Sequence, residues 1–199
     1  MGQFIDVSHN NGIINWNAVK TNSVNIDGVF IKANQGFGNG AIDPQLTNNA
    51  TNARRVGIPL SYYHFATLNN LDVVGDATSE ANFFIGVLKT LPAPDMEIVL
   101  DIEENKIGLT PDQVLLWINT FFNTMKSAGY SKLMIYSYSP FLNTNLPTSH
   151  NLAGYPLWVA AYSPKFMIPR GWLNAYLWQY SSSGTVAGIK GNVDLTKTV

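Results

Sequence analysis

The chain has 199 residues, a formal net charge of −1 and only 13% charged residues, with 46% hydrophobic and 12% aromatic. That length suits one domain with a sizeable core, and the near-zero charge gives no reason to expect nucleic acid or an anionic membrane as a partner. The absence of cysteine excludes disulfides and thiolate metal sites.

Short apolar runs alternate with helical patterns over the first two thirds of the sequence. Phe4 to Ser8 reads as a strand and Trp16 to Lys20 as a short helix. Gly28 to Ala33 is a second strand, followed by a helix over Pro44 to Val56 that Gly57 ends. Pro59 to Ala66 is a third strand, with a helix over Asp76 to Leu91; Glu97 to Glu103 is a fourth. The next helix opens with Thr110 as N-cap and Pro111 at its first position, and stops at Gly129. Lys132 to Ser137 is a fifth strand, followed by a short Pro- and Asn-rich connection. Leu157 to Tyr162, Ala175 to Tyr180 and Val193 to Leu195 then read as three strands joined by loops. Alternating strands and helices imply a parallel sheet, and eight strands suffice to close it. The expected architecture is an α/β fold: an irregular TIM-like (β/α)5(β)3 barrel, mostly parallel, its last helices reduced or missing. No linker divides the sequence, so one domain over residues 1–199 is expected. No apolar run is long enough to span a bilayer, and membrane insertion is not expected.

In parallel barrels chemistry collects at the C-terminal ends of the strands, so the 13 acidic residues can be sorted by position. Asp27, Asp43, Asp72, Asp76, Glu80, Asp95 and Asp112 fall in loops or on helices, where a solvated or capping role is expected. Glu97 begins its strand and so lies at the opposite, stabilising end. Asp6, Asp101, Glu103, Glu104 and Asp194 remain, on or just beyond the first, fourth and last strands. Those first and last strands are neighbours in a closed barrel, which predicts that Asp6 and Asp194 meet. Alternation points Asp101 and Glu103 the same way and Glu104 the other. Carboxyls that converge without matching cations raise one another's pKa values, which suits a proton donor near neutral pH. Glycosidic cleavage needs such a donor. A metal site is not expected: of three histidines only His64 lies on a strand, and paired-His spacing is absent. Aromatic side chains with polar tips match the C–H faces and hydroxyls of sugars. Tyr63, Tyr136, Tyr162, Trp178 and Gln179 are candidates for a groove, with His64 and Trp158 beside them on the same strands.

The segments FIDVSHNNGIINW, FIKANQGFG, YYHFA, LDIEEN, LWVAAY and LWQYSSSGTVAGIKGNVDL, in this order from Phe4 to Leu195, closely resemble the glycoside hydrolase family 25 muramidases, including bacteriophage endolysins. The resemblance implies hydrolysis of the β-1,4 bond between N-acetylmuramic acid and N-acetylglucosamine in peptidoglycan strands. It implies Glu103 as general acid, Asp101 orienting the substrate's N-acetyl group, and Asp6 and Asp194 lining the same pocket. It implies no cofactor. Asn34 and Gln35 stand where family members often carry Thr or Ser and then Glu; Asn34 is therefore a candidate for altered substrate contacts with the reaction retained. The N-terminus lacks the basic start and apolar stretch of a secretory signal. A monomer without a wall-binding module is expected, cytoplasmic until a holin-type or other signal-independent release. Two other readings stay open: a chitinase-like hydrolase of other N-acetyl-sugar polymers, and a barrel that binds glycans without cleaving them.

Overall fold

A computed structural model describes residues 2–23 and 25–199. Eight strands close into a barrel in sequence order: β1 (Gln3–Val7), β2 (Gly28–Gln35), β3 (Leu60–Phe65), β4 (Ile98–Asp101), β5 (Leu133–Ser137), β6 (Leu157–Ala160), β7 (Leu177–Gly184) and β8 (Val193–Thr198). Neighbours from β1 through β7 pair in parallel. The last strand runs the other way, antiparallel to both β7 and β1. Its direction follows from the connection before it: residues 185–192 are too few for a parallel crossover, which needs about a dozen.

Helices α1 (Trp16–Lys20), α2 (Leu46–Arg55), α3 (Val73–Leu88), α4 (Pro111–Ser127) and α5 (Ser139–Asn145) cover the outside. The expected (β/α)5(β)3 order holds, and the Pro- and Asn-rich connection after β5 contains the short α5. Local chemistry sets the helix limits. Asp72 caps α3 by accepting from Gly75 N, so this helix starts three residues before the predicted Asp76. Thr110 and Gln113 form a reciprocal capping box ahead of Pro111 in α4. The helix-ending Gly57 and Gly129 have φ of 70° and 94°, a conformation that favours glycine.

Alternation along the strands divides the apolar residues into two sets. Ile5, Ile31, Tyr62, Leu100 and Ile135 point outward and meet Phe84, Trp117, Phe121 and the rest of the helical layer in the main core. Phe30, Val99, Met134, Tyr136, Trp158 and Leu177 point inward and fill the cylinder. Above the inner plug, at the C-terminal mouth, the next inward residues on several strands are polar, Asp6, Lys32, Asp101 and Gln179 among them. Among the described residues, no helix is long and apolar enough to cross a membrane.

Candidate active site

The mouth of the barrel is a cavity of about 240 Å³ lined by Asp6, Asp101, Glu103 and Asp194, with Lys32, Tyr63, Tyr136, Trp158, Tyr162 and Gln179 among its walls. This is smaller than a typical small-molecule pocket and suits one ring of a longer ligand whose remainder lies across the rim. Strand geometry brings the four acids together. Asp6 and Asp194 are direct partners across the β1–β8 closure, as their positions predict. Asp101 ends β4, and Glu103 lies two residues on, past the outward-facing Ile102. Glu104 points away from the mouth and pairs with Lys106 at 2.6 Å on the surface.

All four carboxyls are held above the ordinary carboxylate range. For Asp6 the largest cause is burial, then the charge of Asp194; a hydrogen bond from Gln179 opposes both. Asp101 is raised by burial and by Glu103 and Asp6, with Lys32 opposing. Burial raises Glu103, its hydrogen bond with Asp101 pulls the other way, and Glu104 and Asp194 add to the rise. Burial likewise raises Asp194, against its hydrogen bond with Asp6. Two carboxyls can bond to one another only if one keeps a proton. The acids therefore fall into two facing pairs, Asp6–Asp194 and Asp101–Glu103, in each of which the raised pKa values favour retention of a proton. Asp101 is only 6% exposed while Glu103 is half-buried, so Glu103 is the member of its pair that an incoming oxygen can reach.

Gln179 organises the opposite wall. Its Nε2 donates to Asp6 Oδ2 at 2.9 Å, and its Oε1 accepts from Tyr136 at 2.8 Å and from Tyr162 at 2.7 Å. Both tyrosine O–H groups are committed to the amide, so they offer their oxygen lone pairs to the cavity. The nearby acids and burial push the Tyr162 hydroxyl up to about 12, which keeps it protonated at neutral pH. Trp158 lies at the floor, 2% exposed, its Nε1 donating to Thr196 Oγ1 at 3.1 Å. Tyr63 lines the mouth as predicted.

Three predicted ligand contacts fall elsewhere. His64 follows Tyr63 on β3 and so points outward; it is fully buried between Phe84 and Phe121, with Nε2 2.6 Å from Glu80 Oε2. Trp178 precedes Gln179 and also faces outward: its Nε1 donates to the Ala161 carbonyl, and its ring packs on Phe166 beneath the Lys197 ammonium. Asn34 follows the register shift between Lys32 and Asn34, which turns it away from the mouth; it is fully buried and donates to the Gly36 carbonyl at 2.8 Å. Helix position also misled for Asp76 and Glu80. Neither is solvated: both face the barrel wall from α3, Asp76 accepting from Trp117 Nε1 and Glu80 bonding His64 and Thr67. Asp43 is buried as well, although it keeps a capping-type contact with Gln45 N.

Lys32 was missed. Its ammonium lines the acidic mouth, lies 5.0 Å from the Phe65 ring centroid and donates to Gln35 Oε1 at 2.9 Å. The signal was available, since Lys32 is two residues beyond the inward-facing Phe30 on β2. Among the described residues, no group of three or more His, Asp or Glu side chains is placed to hold a metal ion.

A family model described as "Glycosyl hydrolases family 25" matches residues 5–189. Lysozyme M1 of Streptomyces globisporus is 34% identical over 98% of this chain and 67% of its own length. The autolytic lysozyme of Clostridium acetobutylicum is 30% identical over 96% of this chain and 54% of its own length. The chain thus spans between about half and two thirds of these relatives. Among solved structures, a bacterial lysozyme from Streptomyces coelicolor superposes with a TM-score of 0.85 at 32% identity, covering 99% of this chain and 91% of that one. The modular autolysin LytC from Streptococcus pneumoniae, in complex with synthetic peptidoglycan ligand, gives 0.86 at 29% identity over 98% of this chain and 46% of its own.

Proposed function

This chain belongs to glycosyl hydrolases family 25, and on that premise we propose that it is a peptidoglycan hydrolase of the N-acetylmuramidase type, cleaving the β-1,4 bond between N-acetylmuramic acid and N-acetylglucosamine in bacterial cell-wall strands. The observation that carries this reading is the convergence of four proton-sharing carboxyls, faced by a single ammonium, in a mouth wide enough for one sugar ring.

Glu103 is the general acid: it gives its proton to the leaving oxygen as the glycosidic bond breaks, and a water whose oxygen then bonds to the anomeric carbon returns a proton to Glu103. Asp101 shares that proton in the empty site and, once Glu103 has given it up, hydrogen-bonds the N-acetyl group of the ring being cleaved. As positive charge develops at the anomeric carbon, the remaining negative charge of the cluster stabilises it. Asp6 and Asp194 hold a further proton at the opposite side, and Gln179 fixes Asp6 and both tyrosine hydroxyls so that the pocket does not rearrange during the reaction. Lys32 offsets part of the acidity, its charge pulling the Asp101 and Glu103 carboxyls back towards the ordinary range.

Digestion of purified sacculi followed by mass spectrometry of the reducing ends tests the reading. Muramic acid at the new reducing end is the expected result. Glucosamine ends, or release from chitin oligomers alone, would overturn it.

A further inference from the structure

A second cavity, about 340 Å³, opens beside the mouth and is lined by His9, Lys32, Gln35, Phe37, Ile42 and Thr67 among others. It shares Lys32 with the acidic pocket, and its other walls come from residues adjoining that pocket: His9 lies between Ser8 and Asn10, and Thr67 follows Phe65 by two. The two hollows adjoin at Lys32, whose side chain lines both, on the β1–β3 side of the rim.

The groove is preformed. Its outer wall is the loop after β2, which turns through Gly36, Gly38 and Gly40, all at positive φ. That loop is pinned to the strand by Gln35 N to the Ala41 carbonyl and by Asp43 N to the Ala33 carbonyl, both 2.9 Å. Asp43 is buried and accepts from His9 N at 3.0 Å and from Gln45 N at 2.9 Å; its third contact, to His9 Nδ1 at 2.7 Å, fixes the imidazole. The Nε2 edge of that half-exposed ring has no partner among the described residues. Phe37 and Ile42, each 49% exposed, are the large apolar side chains at this wall. The groove thus combines an ammonium and an oriented imidazole with two exposed apolar side chains.

From this combination we infer that the groove receives a short acidic peptide joined to the sugar in the mouth, namely the lactyl-linked peptide stem of the muramoyl residue. A carboxylate of the peptide meets Lys32, a peptide N–H donates to the free Nε2 edge of His9, whose Nδ1–H is held by Asp43, and the methyl-bearing side chains lie on Phe37 and Ile42. A bare glycan has neither carboxylate-rich branches nor methyl side chains at this spacing, so the groove distinguishes substituted from stripped strands. The inference rests on the muramidase reading and extends it to the substitution state of the substrate.

The test compares intact sacculi with the same strands stripped of peptide by an amidase, scoring new reducing ends for the wild type and for the double variant Phe37→Ser, Ile42→Ser. Both positions are exposed, so melting temperature should be nearly unchanged. On peptide-bearing strands the variant should lose about tenfold in kcat/KM while staying within about twofold of wild type on stripped strands. Equal loss on both substrates would make the groove a sugar subsite, and no loss on either would make it a bystander; each overturns the inference while leaving the muramidase reading standing. Failure of the wild type to cleave either substrate would bring both down.

Discussion

Two clusters of buried polar groups lie on opposite sides of one wall of the barrel and differ in character. On the outer side, under α3 and α4, Glu80 is met by His64 and Thr67, and Asp76 by the Trp117 indole. There Glu80 is met on both oxygens, Asp76 takes the Trp117 indole on one oxygen while its Oδ1 has no side-chain partner, and the space is filled with Phe84 and Phe121. On the inner side, four carboxyls face one another, with Lys32 and the Gln179 amide as the chief opposing donors. Buried acids supplied with donors hold elements together; buried acids that must share protons are available for chemistry at a cost in stability. Burial alone does not separate the two, but the partner list does.

The largest effect should come from Glu103→Gln, which keeps the shape and removes the proton: a fall in wall-lysis rate of about 10² to 10⁴-fold with the circular dichroism spectrum unchanged. A rate near that of wild type would remove Glu103 from the role of acid. Glu80→Ala is the mirror experiment on the outer side. It leaves His64 and Thr67 without their acceptor and should lower unfolding free energy by about 3 kcal/mol in denaturant titrations, while activity per folded molecule stays close to wild type. Loss of activity out of proportion to loss of folded protein would erase the distinction between the clusters.

Gln179→Leu lies between these extremes. It frees Asp6 and two tyrosine hydroxyls at once, and should reduce kcat by about tenfold with a smaller change in KM. The alkaline limb of its pH profile should move as well, because Asp6 loses a donor that favours its charged form. The smallest effect concerns pH and stability. A carboxyl whose pKa is raised by folding stabilises the fold below the ordinary range near 4, and that contribution is lost as pH rises through the elevated value. At neutral pH the Glu103 carboxyl is therefore a liability, and Glu103→Gln should melt about 2–4 °C higher than wild type at pH 7. The gain should vanish near pH 4; a gain that grew on acidification would mean that the direction of the shift is wrong.

Most of the barrel was legible because period and punctuation agree. Thr110-Pro111 and Gly129 bracket a helix, and each inward residue on a strand is followed by an outward one. The direction of β8 was not legible from periodicity, since alternation is the same for parallel and antiparallel strands; only the short connection ahead of it carries that information. At the site, Asp6, Asp101, Glu103 and Asp194 were found from their position at strand ends. Tyr63 and His64, and likewise Trp178 and Gln179, were read together, although adjacent residues on a strand cannot share a face. The displacement of Asn34 follows a register shift that leaves no mark in composition. Lys32 is a single base in an apolar run, and only its two-residue spacing from the inward-facing Phe30 marks it as part of the mouth.

The antiparallel seam between β1 and β8 gives the enzyme a built-in delay. Asp6 lies on the first strand of the barrel, yet its partner Asp194 and the strand that seals the cylinder come after seven others. A nascent polypeptide halted short of Val193 has seven strands and an open slit, and cannot assemble the proton-sharing pair. On the proposed reading, a fragment that ends before Val193 lacks Asp194 and the closed mouth, so wall lysis is expected only once β8 is present.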